Sequence, residues 1–181
     1  MNYESLSKEI SYALRHNPKK YGLELDKQGW VGVDALILSL RGQERFKSLT
    51  SSDIEKMIQV SEKKRHEFID GKIRALYGHS IKEKIVKEPM KPPDILYHGT
   101  ARKFIKSIFV VGLISKDRQY VHLSEDIDTA IIVGKRRDDN PVILRIDAKR
   151  AWNNGVLFYL GNESIWLAND ISTEYISLLE I

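Results

Sequence analysis

A proline-rich seam divides this sequence and limits how it can fold. Residues 87–94 read Lys-Glu-Pro-Met-Lys-Pro-Pro-Asp, so three of the eight positions are proline. Proline has a fixed φ and no backbone N–H, which excludes it from the interior of helices and sheets. We therefore predict a stiff, extended linker over residues 89–94, joining a first lobe (1–88) to a second lobe (95–181).

The first lobe has the sequence signals of helices followed by a two-stranded hairpin. Asp70-Gly71 lies between two alternating runs, 66–69 and 72–75, which predicts a hairpin with a two-residue turn. Residues 50–53 form a capping signal for a helix behind them. A first helix should end at 17–18, because Asn-Pro stops its apolar stripe. The stripe consists of Leu6, Ile10, Ala13 and Leu14.

The second lobe is rich in short apolar runs that predict strands. Helical patterns occur only at 101–111 and 124–133, between those runs. A unit of this kind is best classed as α+β. The predicted strands lie at 95–97, 120–123, 141–146, 158–160, 164–167 and 174–179.

Composition narrows the possible environments and partners. The chain has no cysteine, so it has neither a disulfide nor a thiolate nucleophile. No apolar run approaches the roughly 20 residues that span a bilayer, and the N-terminus lacks the layout of a signal peptide. We expect a soluble, cytoplasmic protein without a membrane partner, and a monomer. The net charge of +4 is compatible with a phosphate-rich partner but does not establish one.

Several common catalytic motifs are absent from the sequence. There is no GxGxxG or GxxxxGK[ST] phosphate cradle and no GxSxG nucleophile turn. The five histidines include no pair spaced i,i+4, so we expect no metal site.

Two basic segments of the first lobe are candidates for phosphate binding. Arg15-His16 closes the first predicted helix, where the pair either complements the helix dipole or binds a phosphate. Arg74 lies on the second strand of the hairpin, and Gly78 permits a tight bend before His79 and Ser80. This segment is either a solvated wing tip or a phosphate-binding loop.

Two strands of the second lobe bear histidines, and a basic turn follows them. The run 96–100 should end a strand at a Gly-Thr turn, where the glycine lets a ligand approach the backbone. His122 lies on the next strand, and Ser124 should cap the helix that follows. Residues 133–139 read Val-Gly-Lys-Arg-Arg-Asp-Asp, a basic turn that is either solvated or functional.

Taken in order, these pieces resemble one family. The segments LSKEISYALRHNP, GLELDKQGWVGVDALI, IRALYGHS, LYHGT, YVHLS and VGKRRDDNPVIL are similar to the RNA 2′-phosphotransferases, which remove the tRNA splice-junction phosphate in eukaryotes. The resemblance covers nearly the whole chain. It implies a winged-helix-like N-terminal lobe and a C-terminal β-sandwich lobe with the ADP-ribosyltransferase fold.

The resemblance also implies the site. Its catalytic residues would be Arg15, His16, Arg74 and Arg136, with Arg137 as a possible substitute for Arg136. RNA phosphate would contact His79, Ser80 and Arg137. NAD+ would bind in the second lobe at His98, Gly99, Thr100, Arg118, His122 and Ser124.

The reaction implied by the family consumes NAD+ and needs no metal. The RNA 2′-phosphate displaces nicotinamide to give RNA-2′-phospho-ADP-ribose, and a ribose hydroxyl then releases 2′-OH RNA and ADP-ribose 1″,2″-cyclic phosphate. One position departs from the family, because Tyr77 stands where Gln is common. Two alternatives are an ADP-ribosyltransferase acting on nucleic acid or protein, and a non-catalytic winged-helix nucleic-acid binder.

Overall fold

A computed structural model describes residues 1–179 of the chain. Glu180 and Ile181, which end the predicted second lobe, lie outside the described residues. Two compact units are present, one formed by residues 1–87 and the other beginning at Glu88. Each unit mixes helices with an antiparallel sheet, so the α+β class is confirmed. Within residues 1–179, no helix combines the length and apolarity needed to cross a bilayer.

The first unit consists of three helices and a small sheet. Its helices are α1 (Tyr3–Arg15), α2 (Val33–Leu40) and α3 (Ser51–Val60), and short 3-10 helices occupy Pro18–Tyr21 and Glu44–Phe46. Its strands are β1 (Val31–Gly32), β2 (His66–Ile69) and β3 (Lys72–Ala75). They pair antiparallel in the order β1-β3-β2.

Local sequence signals explain these elements. The predicted stripe of α1 is fully buried in the core of the unit. Thr50 and Asp53 form a reciprocal capping box at the start of α3, as predicted. Asp70 and Gly71 have φ values of 49° and 71°, which suit a two-residue turn whose central residues both have positive φ. The predicted hairpin is therefore confirmed, with Ile69 paired to Lys72.

The second unit is built around a six-stranded antiparallel sheet in the order β7-β8-β5-β4-β6-β9. Short 3-10 helices occupy Arg102–Phe104 and Thr173–Tyr175. The strands are β4 (Ile95–Thr100), β5 (Val121–Ser124), β6 (Val142–Asp147), β7 (Phe158–Leu160), β8 (Ile165–Ala168) and β9 (Ile176–Leu178). The helices are α4 (Ile105–Val111), α5 (Ile127–Gly134) and α6 (Ala148–Asn153).

Pairing within this sheet is weakest at its centre. Strand β4 pairs with β6 at six positions but with β5 only through Tyr97 and Ser124. On its other side, β5 pairs with β8 at all four of its residues. The sheet therefore consists of two three-stranded halves, β7-β8-β5 and β4-β6-β9, joined at a single paired position.

Three sequence predictions for this unit are wrong in detail. Strand β4 does not end in a Gly-Thr turn, because Gly99 and Thr100 pair with Ile143 and Val142. Ser124 does not cap α5: it is the last residue of β5, and the Asp126 side chain accepts the capping bond from the Thr129 N–H. Helix α6 was missed, because a six-residue helix is too short to show a helical period.

Candidate active site

The C-terminus of α1 brings Arg15 and His16 to the segment that follows the hairpin. His16 is the C-cap residue, and its Nδ1 lies 2.8 Å from the Ser80 hydroxyl oxygen, with which it is hydrogen bonded. The Ser80 N–H in turn donates to the Arg15 carbonyl at 2.9 Å. Gly78, with φ of 88°, makes the bend that returns the chain to α1. Two contacts therefore join residues 64 or more positions apart into one polar cluster.

The Arg15 side chain is held from two directions. Its Nη2 donates to the Arg65 carbonyl at 3.2 Å, and that carbonyl also accepts from the Leu76 N–H. The guanidinium carbon lies 5.1 Å from the centre of the Tyr77 ring, a cation–π distance. Tyr77, which stands where the resemblance predicts Gln, thus contacts an arginine of the candidate site.

Arg74 lies on the central strand of the small sheet. Its Nε donates to Glu67 Oε2 at 2.7 Å, and its Nη2 lies 2.6 Å from the same oxygen. Its guanidinium carbon is 4.3 Å from the centre of the Trp30 ring. Arg74 is thus a fixed side chain and not the solvated tip of a wing.

Burial and neighbouring positive charge act together on the titratable groups of this unit. The pKa of His79 is lowered to about 3, first by burial and then by Arg15, Lys87 and His16. The pKa of Lys87 is lowered to about 8, by burial and by Arg74. Positive charge is therefore concentrated around His79 and Lys87, and a bound anion would offset it.

The His79 side chain is almost fully buried, which leaves little of its surface for direct contact with RNA. Only 4% of its surface is exposed, and its Nε2 is buried without a hydrogen-bond partner. This nitrogen lies 3.7 Å from the point where a side chain at Gly29 would place its Cβ. Packing against the 26–30 turn therefore accounts for the position of His79.

The second unit holds His98 and His122 beside the weakly paired centre of its sheet. Nδ1 of His98 donates to the His122 carbonyl at 2.9 Å, and Nδ1 of His122 donates to the Tyr120 carbonyl at 3.0 Å. A carbonyl can only accept, so each ring has its proton on Nδ1. Burial lowers the pKa of His98, which keeps its ring neutral and its Nε2 a hydrogen-bond acceptor.

Gly99 is required by the packing of α5 on β4. A Cβ at this position would lie 2.8 Å from the Ala130 carbonyl carbon and closer still to its oxygen. Gly134, the last residue of α5, lies against Gly99 and the Pro141 ring for the same reason. The close approach predicted at Gly99 is therefore an approach of α5, and nothing in it requires a ligand.

The basic turn after α5 is fixed by Asp138. Its carboxylate accepts from the Arg102 N–H at 3.0 Å and from the Asn140 N–H at 3.1 Å, and these bonds lower its pKa. Arg136 and Arg137 lie on this turn, and both are exposed. The carboxylate therefore joins the turn to the residues that follow β4.

The remaining predicted residues occupy different environments. Thr100 and Ser124 are buried in the sheet, whereas Arg118 lies in an exposed turn before β5. A separate groove of about 670 Å³ lies between the segments 18–27 and 81–85 and contains no predicted site residue. Among residues 1–179, no three His, Asp or Glu side chains are grouped to hold a metal ion.

Sequence reasoning missed three residues that contact or surround the predicted ones. Glu67 and Trp30 hold Arg74, and the sequence indicates Lys87 only as the first residue of the proline-rich seam. The two-residue hairpin turn already implied the pairing of Glu67 with Arg74. Trp30 and Lys87 carry no comparable local signal.

The fold and this cluster define a small α+β protein with arginine, histidine and serine side chains gathered as in anion-binding sites. The family model described as "RNA 2'-phosphotransferase, Tpt1 / KptA family" matches residues 2–170. The chain belongs to this family.

Curated relatives match over almost their full length. A protein of Acetivibrio thermocellus, named a probable RNA 2′-phosphotransferase, is 54% identical over 97% of both chains. A Bacillus thuringiensis protein of the same name is also 54% identical, over 97% of this chain and 95% of its own. One from Pectobacterium atrosepticum is 44% identical, over 94% and 95% respectively.

Proposed function

We propose that this protein removes an internal 2′-phosphate from RNA by transferring it to NAD+. Family membership supports an RNA 2′-phosphotransferase. The observation that carries the proposal is the cluster at the end of α1, where Arg15, His16 and Ser80 are joined by hydrogen bonds. A fixed arginine beside a histidine and a hydroxyl suits a reaction in which a phosphate is bound and the oxygen that leaves it takes a proton.

The two units suit the two lobes of such an enzyme. Three helices with the β1-β3-β2 sheet are compatible with a winged-helix-like lobe that binds RNA and phosphate. A sheet in two three-stranded halves is compatible with an ADP-ribosyltransferase-like β-sandwich that binds NAD+. We assign the first role to residues 1–88 and the second to residues 95–181.

In the first step, Arg15, Arg74 and Arg136 hold the RNA 2′-phosphate. A phosphate oxygen forms a bond to the ribose carbon that bears nicotinamide, and the bond to nicotinamide breaks. The phosphate is already a nucleophile, so the protein has to position it and need not activate it. Guanidinium groups suit this role because their planar fork binds two phosphate oxygens at once.

In the second step, a hydroxyl of the attached ribose attacks phosphorus and loses its proton, while the bond from phosphorus to the RNA 2′-oxygen breaks. Negative charge gathers on the phosphate oxygens, where fixed guanidinium groups stabilise it. The departing RNA oxygen takes a proton. His16 is the candidate donor, and its bond to Ser80 fixes the orientation of its ring.

The residues of the second unit fit an NAD+ co-substrate. Nε2 of His98 carries a lone pair beside the point where β4 and β5 lose their pairing, so it can accept from a ribose hydroxyl or an amide. Gly99, Thr100, His122 and Ser124 lie on the same two strands. Arg118 precedes β5, where it can meet a pyrophosphate.

The test is a single incubation. Protein, NAD+ and an oligoribonucleotide with one internal 2′-phosphate are mixed in EDTA, and the products are separated by chromatography and identified by mass. We expect nicotinamide, 2′-OH RNA and ADP-ribose 1″,2″-cyclic phosphate in equal amounts. The same oligonucleotide without its 2′-phosphate should release no nicotinamide.

Two outcomes would overturn the proposal. A stable ADP-ribosyl adduct on RNA or protein would make the chain an ADP-ribosyltransferase. Tight binding of RNA without consumption of NAD+ would make it a nucleic-acid binder.

A further inference from the structure

Arg74 occupies the centre of a row of three side chains that crosses the small sheet. Strand β3 lies between β1 and β2, and Arg74 pairs directly with Glu67 on β2. On the other side, Val31 pairs with Ile73, so Trp30 stands one position further along, level with Arg74. Ile73 and Ala75 are buried in the core, and Arg74 points to the opposite face of the sheet. The arginine is thus held by one neighbour on each side.

Glu67 fixes the direction of the guanidinium group. A single carboxylate oxygen faces both Nε and Nη2, at 2.7 and 2.6 Å. The two side chains are only 27% and 34% exposed, so solvent competes with this pair less than with a surface pair. Because Glu67 occupies the edge formed by Nε and Nη2, the donors on Nη1 are left for another acceptor.

Trp30 holds the same group against its ring. The ring centre lies 4.3 Å from the guanidinium carbon, a cation–π distance. The tryptophan is itself anchored, because Asp26 accepts from the Trp30 N–H at 2.9 Å and donates its own N–H to the Trp30 carbonyl at 3.0 Å. These two bonds close a turn that fixes the main chain from which the ring projects.

The charge around Arg74 remains positive despite Glu67. Lys87 lies close enough for Arg74 to lower its pKa and for Glu67 to raise it, with burial as the larger cause. Two cations thus share one carboxylate, and the site retains attraction for a phosphate. Glu67 therefore orients Arg74 without neutralising the site.

We propose that Trp30 and Glu67 are positioning residues, which orient the Arg74 guanidinium so that its Nη1 edge meets the transferred phosphate. This inference rests on the proposed function. Neither residue touches the phosphate, and both act through Arg74. Orientation matters most in the second step, where charge develops on the phosphate oxygens.

The test is a double-mutant cycle on the second step. Single-turnover reactions with the 2′-phosphorylated oligonucleotide and NAD+ give separate rate constants for formation and decay of RNA-2′-phospho-ADP-ribose. Trp30→Leu and Glu67→Gln should each slow the decay by about 10-fold, the effect of losing one partly buried cation–π or ionic contact. Combined with Arg74→Ala, neither should slow it beyond Arg74→Ala alone, because the residue through which they act is gone.

Conservative and matched variants keep the result interpretable. Trp30→Phe retains a ring and should restore the decay to within about 3-fold of wild type. Arg45→Ala is the control, since Arg45 also pairs with a glutamate, Glu9, and stacks on a ring, that of Phe46, elsewhere in the unit. It should leave the decay unchanged. Thermal melting of every variant separates loss of fold from loss of orientation.

Two results would overturn the inference while leaving the proposed function intact. If the double variant slows the decay by the product of the Trp30→Leu and Arg74→Ala effects, Trp30 acts independently of Arg74. Faster decay in Glu67→Gln would mean that Glu67 competes with the phosphate. A wild-type protein that releases no nicotinamide would instead overturn the proposed function itself.

Discussion

Gly99 on β4 and Ala130 in α5 touch backbone to backbone. A Cβ at Gly99 would lie 2.8 Å from the Ala130 carbonyl carbon. No rotamer relieves such a clash, because both partners belong to the main chain. Helix α5 ends at Gly134, immediately before the basic turn, so its packing on β4 fixes where that turn begins.

We therefore expect Gly99→Ala to lower the free energy of unfolding by about 3 kcal/mol, the upper part of the range for overpacking. Urea unfolding followed by circular dichroism measures this. Gly32→Ala is the control, because its Cβ would meet nothing within 4 Å, and it should cost less than about 1 kcal/mol. Equal losses in the two variants would contradict the packing argument.

The arginines of the site should act mainly in the second step. Arg74→Ala and Arg136→Ala should each slow decay of RNA-2′-phospho-ADP-ribose by about 100-fold or more, since each removes a fixed donor to the developing charge. The adduct should accumulate in quenched reactions. Lysine at either position should restore little of the decay rate, because an ammonium group cannot bind two phosphate oxygens side by side. Decay as fast as wild type in both alanine variants would contradict the assignment.

Arg136 and Arg137 should not be interchangeable. Successive side chains on a helical turn point about 100° apart, so only one can face a given phosphate. The family pattern assigns that role to Arg136. We expect Arg137→Ala to slow decay by less than about 5-fold, against about 100-fold for Arg136→Ala. The same quenched reactions measure the decay rate of both variants. A larger loss in Arg137→Ala than in Arg136→Ala would assign the role to Arg137.

Acid should destabilise the first unit through His66. Its pKa is lowered to about 3, chiefly by burial and further by Arg15 and Arg65. The unfolded chain binds a proton near pH 6.5 and the folded one does not, so stability is full above that pH and falls as pH drops toward 3. The slope for this group approaches about 1.4 kcal/mol per pH unit.

Urea unfolding at pH 7, 6, 5 and 4.5 measures this slope. His66→Gln should make it shallower, because the titrating ring is gone. Ser11→Ala is the control: it removes the hydroxyl bonded to His66 Nε2 and leaves the histidine in place, so the slope should remain. Identical slopes in wild type and His66→Gln would show that this ring binds its proton equally in the folded and unfolded states, so that folding does not lower its pKa.

The sequence by itself determined the local elements and one contact of the site. The stripe of α1, the capping box of α3 and the Asp70-Gly71 turn are short-range patterns, and the structure has all three. The two-residue turn also fixes register, which pairs Glu67 with Arg74.

Only the tertiary structure decided which distant residues support one another. Strand β1 has only two residues, too few for a sequence pattern that would indicate its partner strand. No local sequence signal therefore predicts the contact between Trp30 and Arg74. Ser124 has the sequence pattern of a helix cap, but it pairs with β8, and no local pattern indicates that α5 packs against Gly99. Long-range packing determines these features, because several local conformations have nearly equal free energies and only contacts with the core stabilise one of them over the others.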